Sequence, residues 1–170
     1  MSNSSPVSEK YVRPDWDHFW IMVADTYSRR STCDRGRSGC VIVFNNQILT
    51  AGYVGSRPGE PHCDDVGHDF YDFTDKNGKV TQRCKRTLHA EQNAIIQAET
   101  RRVLLEGTTL YCRMTPCAER CAPLIIKHHI ARVVCERVYR YGAETEVMFK
   151  EYNIELVYLN NEIQKYAGEK

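Results

Sequence analysis

Residues 87–100 read TLHAEQNAIIQAET and contain His89-Ala90-Glu91, the tripeptide from which the rest of the chain can be interpreted. Apolar residues recur in this segment at helical spacing, namely Ala90, Ala94, Ile95 and Ala98. The segment is therefore predicted to be a helix with one buried face, and it places His89 close to the helix start. An imidazole and a carboxylate two residues apart are common in proteins, so this tripeptide alone identifies no chemistry.

The hexapeptide PCAERC, residues 116–121, contains two cysteines that could act together with His89 and Glu91. Pro116 occupies a favoured first-turn position, so a second helix is predicted to begin there and to carry Cys117 and Cys121. Helix N-termini favour thiolates over thiols, which helps a metal to bind. His89, Cys117 and Cys121 would supply three zinc ligands and leave the fourth position for water, while Glu91 could move the protons of that water.

The spacing of the two cysteines departs from the pattern known for zinc-dependent nucleobase deaminases, which is H-x-E followed by P-C-x-x-C. Three residues, rather than two, separate Cys117 from Cys121. Positions four apart on a helix still share a face, so chelation should survive with a locally different helix start. A purely structural zinc is the alternative, although structural sites normally have four protein ligands and this set supplies three.

Hydrophobic periodicity predicts an α/β fold. A first helix should begin at Pro14-Asp15, with Asp15 as its N-cap. Its predicted apolar face consists of Trp16, Phe19, Trp20, Val23 and Tyr27. Strands are predicted at 40–44, 47–53, 108–112, 130–136 and 154–159, and helices at 87–100, from 116 to about 129, and at 144–152. Two consecutive strands followed by β-α-β units indicate a three-layer α/β/α architecture with a mixed five-stranded sheet.

The composition limits the class of protein. A chain of 170 residues is expected to form a single domain, 1–170, with residues 1–12 as a disordered lead. Its formal charge of +1 gives no general attraction to nucleic acid. No apolar run reaches the ~18 residues of a membrane helix, so no membrane partner and a cytoplasmic location are expected. Eight cysteines outside a secreted context favour metal binding or buried thiols.

The long polar segment from 56 to about 86 is predicted to be an irregular loop, and its length suggests a function or a bound ligand. Cys63, His68 and Cys84 of this segment, together with the earlier Cys33, could form a second, structural zinc site that orders the segment. His62 is the substitute ligand if His68 points away. The alternative is a set of separate buried thiols with a solvated His68. Core packing is expected for Cys40, Cys112 and Cys135.

Longer stretches carry a family resemblance: GYVGSRPGEPHCDDVGH, CKRTLHAEQNAI, TLYCRMTPCAERCA and IARVVCERVY. From about residue 30 to 159 the chain resembles the deoxycytidylate (dCMP) deaminases. The resemblance implies a cytidine-deaminase-like fold, one catalytic Zn²⁺, and hydrolysis of dCMP to dUMP and ammonia, which would supply dUMP for dTMP synthesis. It also implies a homo-oligomer, commonly a hexamer, activated by dCTP and inhibited by dTTP. Some relatives carry an additional zinc.

Carried over residue by residue, the resemblance makes His89, Cys117 and Cys121 the zinc ligands and Glu91 the catalytic proton donor. Glu91 would take the water's proton, protonate the ring nitrogen and assist the departure of ammonia. Alternative substrates are another cytosine nucleotide, dCTP or CMP, or a base in single-stranded DNA or tRNA, although the balanced charge argues against nucleic acid. A non-catalytic zinc-stabilised module would have no need for Glu91.

A second departure from the family lies at Val54, where Asn is usual and would hold the sugar hydroxyl. Valine cannot hydrogen-bond through its side chain, so Asn93 or a backbone amide could replace it, or the substrate preference could differ. Candidates for phosphate binding are Arg57, Arg113 and Arg120, although an isolated arginine is more often a solvated surface residue. Tyr139 corresponds to an aromatic residue near the base, with core packing as the alternative.

Overall fold

The computed structural model describes residues 11–74, 78 and 80–163. Its helices are α1 (Trp16–Ser28), α2 (Cys63–Val66), α3 (Ala90–Arg101), α4 (Cys121–Lys127) and α5 (Ala143–Glu151), with a 3-10 turn at Asp34–Gly36. Its strands are β1 (Gly39–Phe44), β2 (Gln47–Tyr53), β3 (Gly55–Ser56), β4 (Phe70–Thr74), β5 (Val80–Cys84), β6 (Thr87–Leu88), β7 (Thr109–Met114), β8 (Arg132–Arg137) and β9 (Glu155–Tyr158). Most of the predicted disordered lead, residues 1–10, lies outside the described residues, and the single-domain organisation stays a prediction.

A mixed five-stranded sheet in the order β2-β1-β7-β8-β9 forms the centre of the fold. β1 pairs antiparallel with both β2 and β7, whereas β7, β8 and β9 run parallel. β1 contains a run of β-branched residues and is buried along most of its length, which is typical of a central strand covered on both faces. The predicted mixed five-stranded sheet is confirmed.

Alternate residues of the strands pack into two separate hydrophobic clusters, one on each face. Ile42, Leu110 and Val133 pack against α3, α4 and α5 on one face. Val41, Tyr111 and Val134 pack against α1 on the other face. This period-two division of side chains is what a sheet between two helical layers requires, and it confirms the three-layer α/β/α prediction.

Helix α1 starts where it was predicted to start, because the Asp15 side chain accepts a hydrogen bond from the His18 backbone N–H at 2.9 Å. The predicted apolar face is partly wrong. Trp20 is buried together with Ile21 and Ala24, whereas Trp16, Phe19 and Tyr27 are substantially exposed. A Cβ added at Gly39 would lie 2.0 Å from the Ala24 carbonyl oxygen, so the close approach of β1 to α1 decides which helical face is covered.

The segment from 56 to 86 was predicted to be irregular, and this is wrong. It contains helix α2 and the antiparallel β4–β5 hairpin, and the short β3–β6 ladder joins its two ends. β4 reads FYDFT, in which four of the five residues are aromatic or β-branched, and its side chains alternate between exposed and half-buried, as expected of a strand with one covered face. Among residues 11–74, 78 and 80–163, no helix combines the length and apolar character needed to cross a membrane.

Candidate active site

The start of α3 is fixed tightly against the end of β2. His89 precedes the helix in an extended conformation, and its backbone N–H donates to Gln92 Oε1 at 3.0 Å. A Cβ added at Gly52 would lie only 2.3 Å from the Ala90 carbonyl oxygen and 2.5 Å from the Ala94 nitrogen. Glycine at this position therefore allows the helix start, with His89 beside it, to approach the sheet closely.

Helix α4 begins at Cys121, so the prediction of a helix starting at Pro116 is wrong. Cys117 precedes a turn formed by residues 118–120. The backbone N–H groups of Cys121 and Ala122 both donate to the Cys117 carbonyl oxygen, at 3.1 Å and 3.0 Å. The additional residue between the two cysteines is thus accommodated in a turn before the helix, and the two thiols need not share a helical face.

The three side chains predicted as zinc ligands converge. Nδ1 of His89 lies 3.3 Å from Cys121 Sγ and 3.5 Å from Cys117 Sγ, and the two sulfurs are 3.6 Å apart. Zinc bonds of about 2.3 Å to sulfur and about 2.0–2.1 Å to nitrogen imply tetrahedral edges of about 3.5 Å from nitrogen to sulfur and about 3.8 Å between sulfurs. One imidazole and two thiols at these separations could hold a zinc ion.

The titration behaviour of these groups follows from their contacts. The hydrogen bond from Cys121 lowers the pKa of the Cys117 thiol to about 4 despite its burial. Burial raises the pKa of Cys121 well above its ordinary value. Burial also opposes the charged form of His89, but the hydrogen bond to Cys117 and the charges of Cys117 and Glu91 together outweigh it and raise the imidazole pKa. The protein therefore stabilises a thiolate at the centre of the cluster, as a metal site requires.

Glu91 lies in the first turn of α3 with only 8% of its surface exposed. Its Oε2 is 3.7 Å from Cys121 Sγ, so the carboxyl group borders the ligand cluster without belonging to it. Burial raises the pKa of Glu91 above its ordinary value. A buried carboxyl with a raised pKa beside a candidate metal site is suited to accept a proton and then donate it.

Three further residues were predicted to belong to the site, and their contacts differ. Tyr139 lies close enough to Cys117 for the thiolate charge to add to burial in raising the tyrosine pKa. Asn93 lies beside the β2 end and donates through Nδ2 to the Tyr53 carbonyl oxygen at 2.7 Å. Arg113 instead contacts Glu136 and the Arg37 carbonyl oxygen.

A cavity of about 540 Å³ adjoins the start of α3. Its described lining residues are Arg57, Tyr71, Lys85, Leu88, Gln92 and Arg120. Two of the arginines proposed for phosphate binding, Arg57 and Arg120, thus come together. Tyr71 and Lys85 were missed because the segment that carries them was interpreted as an irregular loop. The aromatic and β-branched residues of β4, FYDFT, indicated a strand there, but they did not indicate which part of the fold the strand would contact.

A second cluster gathers the four residues proposed for structural zinc. Ligand atoms of Cys33, Cys63 and His68 all lie within 4.8 Å of one another, and Cys84 Sγ is 3.6 Å from Cys63 Sγ. The three cysteines are buried. Burial opposes the thiolate of Cys84, but hydrogen bonds from the backbone of Arg86 and Asp69 lower its pKa to about 7. These four groups could hold a second metal ion.

The histidine of this cluster is oriented as a metal ligand usually is. Nδ1 of His68 lies 3.8 Å from Cys33 Sγ, while its Nε2 faces Asp34 Oδ1 at 3.0 Å. A carboxylate on the second ring nitrogen is the common arrangement for ligating histidines. His68 is only 18% exposed, whereas His62 is 54% exposed and lies against Asp65. The structure therefore favours His68 over His62 and contradicts the alternative of a solvated His68.

Val54 packs between the two regions. Its side chain contacts the buried Cys33, Cys63 and Cys84 and also the main core. Its backbone N–H donates to the Ser38 carbonyl oxygen at 2.9 Å. The valine at this position therefore contributes apolar packing beside the second cluster.

Comparison with known proteins agrees with this geometry. The family model described as the cytidine and deoxycytidylate deaminase zinc-binding region matches residues 14–137. The chain belongs to this deaminase family. The matched region contains the His89, Cys117 and Cys121 cluster and Glu91, together with the second cluster.

Individual relatives carry similar names. A protein named deoxycytidylate deaminase from Schizosaccharomyces pombe is 31% identical over 85% of this chain, which spans 44% of that relative's length. A protein of the same name from Mycobacterium phage D29 is 33% identical over 72% of this chain and 94% of its own. The crystal structure of dCMP deaminase from the cyanophage S-TIM5 in complex with dCMP and dUMP superimposes with a TM-score of 0.68 at 23% identity. It covers 88% of this chain and 100% of the cyanophage chain, which shows a common fold.

Proposed function

We propose that this protein hydrolyses dCMP to dUMP and ammonia with a catalytic Zn²⁺ held by His89, Cys117 and Cys121. The observation that carries the proposal is the convergence of three zinc-type ligands beside the buried carboxyl of Glu91. Two relatives named deoxycytidylate deaminase, at 31% and 33% identity, support the choice of substrate. The match covers 94% of the phage relative, so the activity in that relative's name requires little beyond the part that this chain shares.

When bound, zinc supplies Lewis-acid chemistry and lowers the pKa of a coordinated water to about 7. Glu91 accepts a proton from the attacking water and delivers it to the ring nitrogen of cytosine. It then carries the second water proton to the leaving amino group, so that water and dCMP give dUMP and ammonia. Burial of Glu91 holds the carboxyl group ready for both transfers.

Because the Val54 side chain cannot form a hydrogen bond, other groups near it would bind the sugar. Asn93 already donates through Nδ2 to Tyr53, and its Oδ1 could accept a hydrogen bond from the sugar 3′-hydroxyl. Tyr139, at the Cys117 side of the cluster, would pack near the base. These two residues compensate for the missing asparagine without a change in the chemistry.

A substrate panel tests this proposal. Purified protein should release ammonia from dCMP faster than from cytidine, CMP or dCTP, with and without dCTP and dTTP as effectors. Turnover of dCTP, CMP or a single-stranded DNA or tRNA oligomer in place of dCMP would instead support the alternative substrates. The formal charge of +1 argues against the polynucleotides.

We further propose a second, structural zinc bound by Cys33, Cys63, His68 and Cys84. These residues come from the end of the α1 connection, from α2 and its flank, and from the end of β5. A closed four-ligand site would fix the whole inserted segment to the body of the protein. The contacts of His68 with Cys33 and Asp34 support this assignment.

Assembly, regulation and location complete the proposal. We infer a homo-oligomer, because α1 exposes large apolar side chains such as Trp16 and Met22 that a second copy could cover. The choice of a hexamer is inferred from the family. Activation by dCTP, inhibition by dTTP, a supply of dUMP for dTMP synthesis and a cytoplasmic location are inferred from the family. Light scattering with and without each effector tests the assembly and its response.

A further inference from the structure

The turn between the two candidate zinc cysteines has little local support. Residues 118–120 separate Cys117 from Cys121, one residue more than in the P-C-x-x-C pattern of zinc-dependent deaminases. The N-cap residue of α4 is Arg120, and its side chain makes no capping hydrogen bond to the first turn of the helix. A longer, uncapped turn has more conformational freedom to lose, so contacts from outside it can contribute to fixing the spacing of the two thiols.

Such contacts come from the β4–β5 hairpin. Arg83 Nη2 donates to Glu119 Oε1 at 2.9 Å, and Arg120 Nη2 donates to the Tyr71 hydroxyl at 2.5 Å. Tyr71 and Arg83 are directly opposite each other in the antiparallel register of the hairpin, so their side chains lie on the same face. One cross-strand pair therefore binds two consecutive residues of the turn.

This face of the hairpin orders the arginine before it meets the turn. Its side chains Tyr71, Phe73, Thr81 and Arg83 are half-buried, whereas the residues between them along each strand are exposed. The guanidinium carbon of Arg83 lies 3.4 Å from the centroid of the Phe73 ring, in a cation–π contact. Arg83 therefore pairs with Glu119 at a smaller entropic cost than a freely rotating surface arginine would.

The hairpin is itself fixed at its base by the second cysteine cluster. In the described part of the chain, β4 and β5 form a two-stranded sheet of their own, and an isolated hairpin is only marginally stable in water. Phe70 pairs with Cys84, whose Sγ lies 3.6 Å from Cys63 Sγ, and the rings of Phe70 and His68 are 5.0 Å apart. The hairpin is thus held at one end while its covered face contacts the turn.

We propose that Arg83 and Glu119 are positioning residues for the zinc ligands, because their ion pair holds the turn that sets the separation of Cys117 from Cys121. The inference rests on the proposed function, since it concerns the zinc that these two thiols would bind together with His89. Contacts outside the ligand set that orient the ligands increase the affinity of a metal site. Loss of the Arg83–Glu119 pair should therefore make zinc leave this cluster faster.

Zinc release to a chromophoric chelator, pyridylazoresorcinol, measures this effect on the full-length protein without any substrate. The release phase that is absent from His89→Ala belongs to the candidate catalytic cluster. Glu119→Gln and Arg83→Gln should each accelerate that phase about fivefold, the equivalent of about 1 kcal/mol.

A double-variant cycle separates the ion pair from a general loss of stability. The combination of Arg83→Gln with Glu119→Gln should accelerate release about as much as Arg83→Gln alone, because both changes remove the same contact. Lys127→Gln is the matched control, since it breaks a different ion pair of α4, in which Lys127 Nζ lies 3.1 Å from Glu99 Oε1. It should leave the release phase unchanged.

The outcomes distinguish this inference from the proposed function. Faster release in both single variants, with no further acceleration in the double variant, supports the positioning role. Additive acceleration in the double variant, or equal acceleration in Lys127→Gln, overturns it. Unchanged release from variants that still deaminate dCMP overturns the positioning role and leaves the deaminase function standing. A wild-type protein with no release phase that depends on His89 overturns both, because the cluster would then hold no zinc.

Discussion

Tyr71 and Arg120 form a direct link between the β4–β5 hairpin and the turn that separates Cys117 from Cys121, with Nη2 of Arg120 donating to the tyrosine hydroxyl at 2.5 Å. A second link lies beside it, because Arg83 Nη2 donates to Glu119 Oε1 at 2.9 Å. Residues of one hairpin therefore hold two of the three residues in this turn. The hairpin in turn ends at Cys84, a member of the second cysteine cluster.

Tyr71→Phe removes only the hydroxyl group of this link. We expect the KM for dCMP to rise about threefold with an unchanged kcat, since a typical net hydrogen bond contributes about 0.5–1.5 kcal/mol. Steady-state kinetics measure the effect. Tyr152→Phe at the exposed end of α5 is the control, and an equal change in both variants would argue against the link.

If the second cluster binds zinc, the protein should contain about two zinc ions per chain. Plasma mass spectrometry after dialysis measures this content. Cys84→Ala should reduce the content to about one and lower the melting temperature, because metal binding contributes folding free energy. Cys135→Ala is the matched control, since Cys135 is a buried thiol of the core and should retain both ions. A wild-type value near one, with full activity, would eliminate the structural zinc.

Alanine substitutions at Gly52 and Gly39 distinguish an effect on the stability of the protein from an effect on the geometry of the candidate site. An alanine at either position meets backbone atoms, those of Ala90 and Ala94 for Gly52 and those of Ala24 and Ser28 for Gly39. Each change should cost about 1–3 kcal/mol of unfolding free energy through overpacking. Only Gly52→Ala displaces the start of α3, so it should also lower kcat at least tenfold. Equal kcat in the folded fraction of both variants would contradict the role assigned to Gly52.

Asp17 gives a pH-dependent contribution to stability away from the site. Arg132 donates to both of its carboxylate oxygens at 2.8 Å, and these bonds hold the pKa of Asp17 below its ordinary value. A lowered folded pKa stabilises the protein above the unfolded pKa of about 3.9, and this contribution is lost as the pH falls through the folded value.

Asp17→Asn should therefore cost about 1 kcal/mol at pH 7, and the difference from wild type should shrink below about pH 4. Urea unfolding at several pH values measures it. Glu106→Gln, an exposed residue, should show no such trend. A difference for Asp17→Asn that stays constant from pH 7 to pH 3 would exclude the ion pair as its cause.

The central sheet and the residues that converge in the candidate active site could be predicted because their signals are local. β-branched runs such as the one in β1 indicate buried strands, and His89, Glu91, Cys117 and Cys121 occur in short motifs. The exposed side of α1 and the β4–β5 hairpin could not be derived in the same way. They depend on close backbone approaches such as that at Gly39, and on contacts between residues far apart in sequence such as Tyr71 and Arg120.

The most direct test of the account compares wild type with Glu91→Gln for zinc content and for ammonia release from dCMP. Glutamine keeps the shape of the side chain but cannot carry a proton, so kcat should fall at least about 10³-fold. Zinc should remain bound, because His89, Cys117 and Cys121 are intact. Wild-type rates in Glu91→Gln, or no ammonia from dCMP with zinc-loaded wild type, would contradict the proposed function.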